Sequence, residues 1–336
     1  MDSIKLTIAI PTFNRSETLN HKLKFISRLA DCDKFITLIC DNCSDDKTTE
    51  IVESYFSKIG NLRYQKNEKN LGYDANVLKC LKLATTDYVW VLSDDDDFLE
   101  DTPAVILEYI EKYSPDLICL NDGGHELSLR QVKTVGDELL DLNIGRVSVL
   151  KNLDESQRYA YLSTFFWLTR LVVKKNKSLN FNRLEKFIGS QFVQLAIVNE
   201  QFNVLDRVRL IYSDVPLVKN NPHCVFSHNF TDVFVNKFYD FCMLPESRFS
   251  EKFALSVARA NIPFVVNGLL AHKVGSKVFK YDFKFFYLLK KMFKYKCSYG
   301  LILKFIIIYF TPTKLIRMLK KTNNPCIENK EKRTYI

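Results

Sequence analysis

Glycine and proline are scarce, 10 and 9 among 336 residues. That excludes collagen-like and linker-rich chains, and no sequence period of the kind that builds solenoids is present. A basic segment followed by a secretory apolar core is also missing. Met1-Asp2-Ser3-Ile4 leads directly into a strand-like run, and the chain is expected to be cytoplasmic. The nine cysteines (32, 40, 43, 80, 119, 224, 242, 297 and 326) are odd in number and scattered, and most sit in apolar runs such as Leu38-Ile39-Cys40. They read as reduced, buried thiols. Cys40 and Cys43 form a C-x-x-C, but no second Cys pair or His pair stands at zinc spacing, so the pair reads as packing.

What is present is a globular composition, 47% hydrophobic and 26% charged, long enough for one large domain or two small ones. The net charge of +9 is unevenly spread. Residues 270–336 hold 16 Lys and Arg against 3 Asp and Glu, leaving 32 basic and 36 acidic residues in 1–269. Basicity is therefore a property of the C-terminal part, where anionic lipid and nucleic acid are the two partner classes to weigh.

Up to residue 121, short apolar runs alternate with segments of helical spacing. The strand candidates are Lys5 to Pro11, Lys34 to Asp41, Leu62 to Lys66, Tyr88 to Leu92 and Asp116 to Leu120. Between them, sets such as Leu19, Leu23, Ile26 and Val77, Leu78, Leu81 recur at helical intervals. Five such repeats imply βαβ units and a doubly wound, mostly parallel α/β sheet, which binds ligands outside the carboxyl ends of its strands. The polar residues gather there: Thr12-Phe13-Asn14-Arg15 after the first strand, Asp41-Asn42-Cys43-Ser44-Asp45-Asp46 after the second, Asn67 to Gly72 after the third, and Ser93-Asp94-Asp95-Asp96-Asp97 after the fourth.

Four adjacent carboxylates repel and raise one another's pKa, so a cation is expected beside them. A hard divalent ion, Mn or Mg, would neutralise them and hold a diphosphate in turn. As an isolated run they would read as a solvated acidic loop. Their position at a strand end, beside three other polar strand ends, argues for the functional reading.

The segments IAIPTFNRSETL, LICDNCSDDKT and NEKNLGYDANVLKCLKLATTDYVWVLSDDDDFLED resemble, in this order and spacing, the inverting family 2 glycosyltransferases of GT-A fold. Further on, YLSTFFWLTRLVVKK, FIGSQFVQLAIV and YSDVPLVKNN are similar to the abequosyltransferase-like subgroup, which builds lipopolysaccharide O-antigen or similar surface glycans. The resemblance implies a nucleotide-diphospho-sugar donor bound by Pro11, Thr12, Asn14, Arg15 and Asp41, with Asn70 and Gly72 on the opposite wall. It places Asp94 and Asp95 at the ribose or metal shell and makes Asp96 the metal ligand, with Asp95 and Asp97 as alternatives. His223 lies where some relatives place a late metal or diphosphate contact. By the same resemblance, residues 1–230 are the catalytic domain, 1–121 being its nucleotide-binding half and 122–230 its acceptor half. A helical, basic and aromatic region then covers 231–321, and 322–336 are a disordered tail.

One departure stands out. Many members carry an acidic pair at the start of the helix after the apolar segment, and one of its carboxylates deprotonates the acceptor. Here Gly189-Ser190-Gln191 stand there, which leaves Asp122 and Glu185 as candidate bases. A non-catalytic nucleotide-sugar-binding protein is therefore an alternative. A sugar-phosphate nucleotidyltransferase would need a glycine-rich phosphate loop after the first strand, and Pro11-Thr12-Phe13-Asn14-Arg15 has no glycine.

Residues 279–310 interleave twelve Phe or Tyr with Lys. Their longest uncharged apolar run, Phe305 to Phe310, falls far short of the ~20 residues that cross a bilayer. An interfacial helix pair on the cytoplasmic face of the inner membrane is expected, close to a lipid-linked oligosaccharide acceptor. No nucleic-acid-binding module accompanies the basic stretch.

Overall fold

The computed structural model of the chain describes residues 4–122, 147–176, 179–219, 233–273 and 284–316. His223 and the tail 322–336 lie outside the described residues. The chain divides into two compact units, 1–224 with 244–247 and 225–243 with 248–336.

In the first unit the elements run β1 (Leu6–Thr12), α1 (Ser16–Ile26), β2 (Phe35–Asp41), α2 (Thr48–Glu53), β3 (Leu62–Lys66), α3 (Tyr73–Leu83), β4 (Tyr88–Val91), β5 (Asp97–Phe98), α4 (Thr102–Tyr113) and β6 (Leu117–Asn121). After them come β7 (Val147–Leu150), α5 (Glu155–Ser163), a 3-10 turn (Leu168–Arg170), β8 (Leu171–Lys174), α6 (Phe181–Leu184), α7 (Val193–Val204), β9 (Val208–Pro216) and β10 (Val218–Lys219). Eight strands form one sheet in the order β3-β2-β1-β4-β8-β6-β9-β7, while β5 and β10 make a small antiparallel pair. β2 and β4 are buried at every position and β1 at all but Pro11, as a sheet covered on both faces requires. α1 packs Leu19, Leu23 and Ile26 into the core formed with Leu6, Ile8, Trp90 and Phe98.

β1, β2, β3 and β4 pair in parallel, as their repeats imply. The fifth strand, β6, shares their direction but not their adjacency. β8 is inserted between β4 and β6 and runs antiparallel to both. The apolar stretch Tyr161 to Val173 thus breaks into a helix end, the 3-10 turn and a strand whose Leu171, Val172 and Val173 are fully buried. Val204 closes α7, and residues 208–216 run as one strand, β9, before the short β10.

The second unit is helical: α8 (Phe238–Met243), α9 (Glu251–Lys273), α10 (Phe285–Lys294) and α11 (Tyr299–Phe310). Among the described residues, Glu251–Leu270 is a helix long and apolar enough to cross a membrane by length and composition. Its buried residues Ala254, Val257, Ala258, Ile262, Val265, Val266 and Leu269 are also what the core helix of this unit would bury.

Candidate functional site

The strand order reverses direction of growth at β1. The chain moves outward to β2 and β3, then returns to place β4 on the other side of β1. Such a switch point opens a crevice at the carboxyl ends of the two strands. There Thr12, the last residue of β1, donates its hydroxyl to Asp94 Oδ2 at 2.8 Å. Arg15, at the entry to α1, spans two members of the acidic run: its Nη1 lies 2.8 Å from Asp94 Oδ1 and 2.8 Å from Asp95 Oδ2. Burial pushes the Asp94 carboxyl above its ordinary value; Arg15 pulls it back and neighbouring Asp95 adds to the rise. Burial alone would lower the Arg15 pKa, and Asp94 and Asp95 raise it above its ordinary value instead.

A second cation comes from α1. Lys22 is buried and donates to the Asp96 carbonyl, with Asp97 Oδ1 at 3.5 Å and the Phe98 ring beneath its ammonium. Burial lowers its pKa from the usual lysine value, against the opposing pull of Asp97, Asp96 and Asp94. The expectation of a cation beside the run is thus met by the chain's own Arg15 and Lys22. Charge repulsion alone therefore does not select a metal.

Asp96 is held differently. Its Oδ2 accepts the hydroxyl of Thr169 at 2.5 Å, and Thr169 is anchored in turn by Trp90 Nε1, which donates to its carbonyl at 2.8 Å, and by the Ser93 N–H. The next residue, Arg170, is buried against the Leu120 carbonyl, the Tyr212 hydroxyl and, at 3.9 Å, Asp122. One 3-10 turn therefore touches both the acidic run and Asp122. Because β6 runs in the direction of β4, Asp122 stands on the same sheet edge as Asp94 to Asp97, its side chain buried.

Glu185 is elsewhere. It pairs with Lys82 at 2.5 Å in the last turn of α3, roughly 12 Å along the helix axis from Asp74 and toward the opposite sheet edge. A groove of about 360 Å³ lined by Leu71, Leu78, Lys82, Glu185 and Ile188 runs along that flank, apart from the acidic run.

The base of the crevice is a closed hydrogen-bond set. Asp41, fully buried, accepts the Ser44 N–H at 2.8 Å and the Tyr64 hydroxyl at 2.7 Å. Asn14, at φ 51°, receives Asp45 N–H on its side chain and gives its own N–H to Ser44 Oγ, tying the first two strand ends together. Asn70 accepts from Asn42 and from the Gly72 N–H, making the turn into α3; Gly72 holds φ +82°, which a side chain would strain. Tyr73 follows, 37% exposed, its hydroxyl pushed up by burial and by the charges of Asp74, Asp96 and Asp95. Cys40 and Cys43 do not converge: the Cys40 thiol is in the core with Cys80, and Cys43 faces the Glu68 carbonyl.

The departure at Gly189-Ser190-Gln191 has a structural counterpart. Asp74 of α3, buried, accepts the N–H groups of Gly189 at 2.7 Å, Gln191 at 2.9 Å and Val193 at 3.3 Å. A carboxylate thus meets the N-terminus of α7, but it arrives from α3 across more than a hundred residues. Lys22, Tyr64, Asp74, Thr169 and Arg170 were not singled out in the sequence. Of these Asp74, Thr169 and Arg170 lie in segments that carry the family resemblance.

No three His, Cys, Asp or Glu side chains among the described residues converge as a preformed metal cage would. A Mg or Mn ion bound through one or two carboxylates plus substrate phosphates needs no such cage. Asp95 and Asp96, partly exposed hard-oxygen donors at the mouth of the crevice, fit that mode.

Residues 7–169 match the family model described as glycosyl transferase family 2. Over 231 residues, 63% of this chain, the sequence is 28% identical to the abequosyltransferase RfbV of Salmonella typhimurium, covering 65% of that protein. It is 31% identical over 119 residues to an uncharacterized glycosyltransferase, MG060, of Mycoplasma genitalium, covering 40% of it. The chain thus spans less than two thirds of these relatives. Among solved structures, residues 1–349 of Staphylococcus aureus TarS align over 96% of this chain and 91% of that one, with a TM-score of 0.55 at 15% identity. The same fragment is known in complex with UDP-GlcNAc. Residues 7–169 thus form a glycosyl transferase family 2 domain, and the strand order and crevice described have the GT-A fold.

Proposed function

We propose that this chain transfers a sugar, with inversion, from a nucleotide-diphospho-sugar to a lipid-linked saccharide during assembly of an O-antigen, capsule or related surface polysaccharide. The observation that carries the reading is the crevice between β1 and β4, where Thr12 and Arg15 grip Asp94 and Asp95 at 2.8 Å. The names of the relatives, an abequosyltransferase among them, support the class of product.

In this reading the nucleoside lies against Pro11, Thr12 and Asn14, with Asn70 and Gly72 forming the far wall, while Asp41, fully buried, acts from beneath by holding Ser44 and Tyr64. Arg15 uses only Nη1 on the two carboxylates, and its guanidinium carries further N–H donors suited to a phosphate. A divalent ion, Mn or Mg, held by Asp96 with Asp95 and Asp94 around it, would offset charge on the departing diphosphate. Thr169 fixes the Asp96 carboxylate before any donor arrives, which removes a reorganisation cost from the transfer step. Asp122 is the preferred base because it shares the edge of the acidic run. It would take the acceptor hydroxyl's proton as that oxygen attacks the anomeric carbon from the face opposite the diphosphate. Glu185, tied to Lys82 on the flank of α3, is the weaker candidate.

The test is a thermal-shift screen of the whole protein against UDP, GDP, CDP and dTDP sugars with and without Mn, followed by turnover of whichever donor stabilises it. One nucleotide should raise the melting temperature, more so with metal. Asp96→Ala should then cut transfer by about a hundredfold or more while the protein still melts cooperatively. Undiminished transfer by that variant would remove the mechanism. Stabilisation by a donor without turnover would favour a non-catalytic binding protein.

A further inference from the structure

α11 is apolar all round: YGLILKFIIIYF holds one Lys and no acid. Its Ile302, Phe305 and Ile308 are buried. On another face Tyr299, Leu303, Ile307 and Phe310, spaced 4, 4 and 3 residues apart, are 86%, 57%, 57% and 65% exposed. A helix apolar on every side belongs in a core or in lipid, and this one is covered on only part of its circumference. α10 repeats the arrangement. Leu288 and Met292 are buried, whereas Phe286 and Phe293, seven residues apart, are 82% and 58% exposed. The two helices are locked together by Phe285, whose ring lies 5.6 Å from that of Phe305 and 4.9 Å from that of Tyr309. Lys273 donates to the Tyr309 and Thr311 carbonyls at the C-terminal end of α11.

The two helices themselves carry charge of one sign. Residues 284–316 contain seven Lys (284, 290, 291, 294, 296, 304 and 314) and no Asp or Glu. We infer that the exposed face formed by Phe286 and Phe293 of α10 and Tyr299, Leu303, Ile307 and Phe310 of α11 docks into the headgroup layer of an anionic bilayer, with the lysines reaching the lipid phosphates. Both helices are too short to span: twelve residues give roughly 18 Å against a hydrocarbon core of about 30 Å. They lie in the interface plane instead, rings and aliphatic side chains inward and ammonium groups at the phosphates. A second copy of the chain is the poorer occupant, because joining two such faces would set seven lysines against seven with no acid in either helix to offset them. The inference draws on the proposed function only for what the docking achieves, bringing the crevice to an acceptor held in lipid; the surface itself stands independently of the chemistry.

Co-sedimentation of the full chain with vesicles of phosphatidylcholine alone, and of phosphatidylcholine with about one third phosphatidylglycerol, tests it. Binding should be confined to the anionic vesicles. The triple variant Phe293→Gln, Leu303→Gln, Ile307→Gln should lose about tenfold or more of that binding at any salt concentration. Lys290→Gln with Lys296→Gln and Lys314→Gln should weaken binding and flatten its salt dependence. Both variants replace exposed side chains, and an unchanged melting temperature verifies that they fold. A wild-type protein that ignores anionic vesicles overturns the inference, as does one that is oligomeric in solution and becomes monomeric in the triple variant. Donor turnover, measured on the same samples without vesicles, reports on the proposed transfer separately.

Discussion

At the crevice between β1 and β4, charged side chains are buried: Asp94 and Lys22 are 4% exposed, and Arg170 is 2% exposed. On α10 and α11 large apolar side chains are open, Phe286 to 82% and Tyr299 to 86%. In the crevice every buried charge named has a partner within its own unit, Thr12 and Arg15 for Asp94, the Asp96 carbonyl and Asp97 for Lys22. On the exposed face Phe286 and Phe310 touch the ring of Phe285 yet stay largely open. The difference separates two kinds of functional surface. One is organised before its ligand arrives and should be costly to alter, while the other waits for its ligand and should be nearly free to alter.

The largest penalty should follow Arg170→Ala. It would remove the cation facing buried Asp122 together with the donor to the Tyr212 hydroxyl and the Leu120 carbonyl, at a cost of about 3–5 kcal/mol by chemical denaturation. A loss below about 1 kcal/mol would mean the cluster is not a structural unit. Asp74→Ala comes next. Three N–H groups at the start of α7 would lose their acceptor, at about 2 kcal/mol, and Asp74→Asn should recover part of it by keeping one carbonyl oxygen. Equal stability of the two variants would show that charge at the helix N-terminus, rather than hydrogen bonding, is what Asp74 supplies.

These two residues also mark the limit of what the sequence discloses. The strand ends, and the gathering of their polar residues with the acidic run at one edge, follow from local period and from the rule that ligands bind at the carboxyl edge of such sheets, whereas the roles of Thr12 and Asp94 follow only from the family resemblance. Asp74 does not: in sequence it is an acid in the first turn of a helix, favourable there on dipole grounds alone, and nothing local says that it reaches Gly189. Lys22 reads as one of many lysines on an amphipathic helix, because its partners stand 74 and 75 residues away. The insertion of β8 is equally silent, since Leu171-Val172-Val173 has the same pattern whether it runs parallel or antiparallel. What escapes in each case is a long-range pairing, which periodicity cannot encode.

Lys22→Met sharpens the comparison from the crevice side. Methionine keeps the stem packed near Phe98, and Asp97, 81% exposed on its side chain, returns to water, but the Asp96 carbonyl loses this donor, so the loss should be about 1–2 kcal/mol. The charge balance shifts more than the stability. Four carboxylates now face two cations; with only Arg15 left, the affinity of the run for Mn should rise about threefold or more, read by titrating the ion's paramagnetic signal. Weaker Mn binding would show instead that Lys22 shapes the run, and the fit of a divalent ion there would need a different set of carboxylates.

The smallest effect is expected on the other side. Leu303→Gln replaces a side chain 57% exposed with a good helix former and leaves the buried face of Ile302, Phe305 and Ile308 untouched. Thermal unfolding of the protein in vesicle-free buffer should change by no more than about 0.5 kcal/mol, like an ordinary surface substitution. A leucine buried in a core would lose about 2 kcal/mol or more on comparable truncation, so the two outcomes are easily resolved. A penalty of the core size would mean that part of the chain covers this face in solution, and the exposed stripe of α11 would then belong to the interior rather than to a membrane.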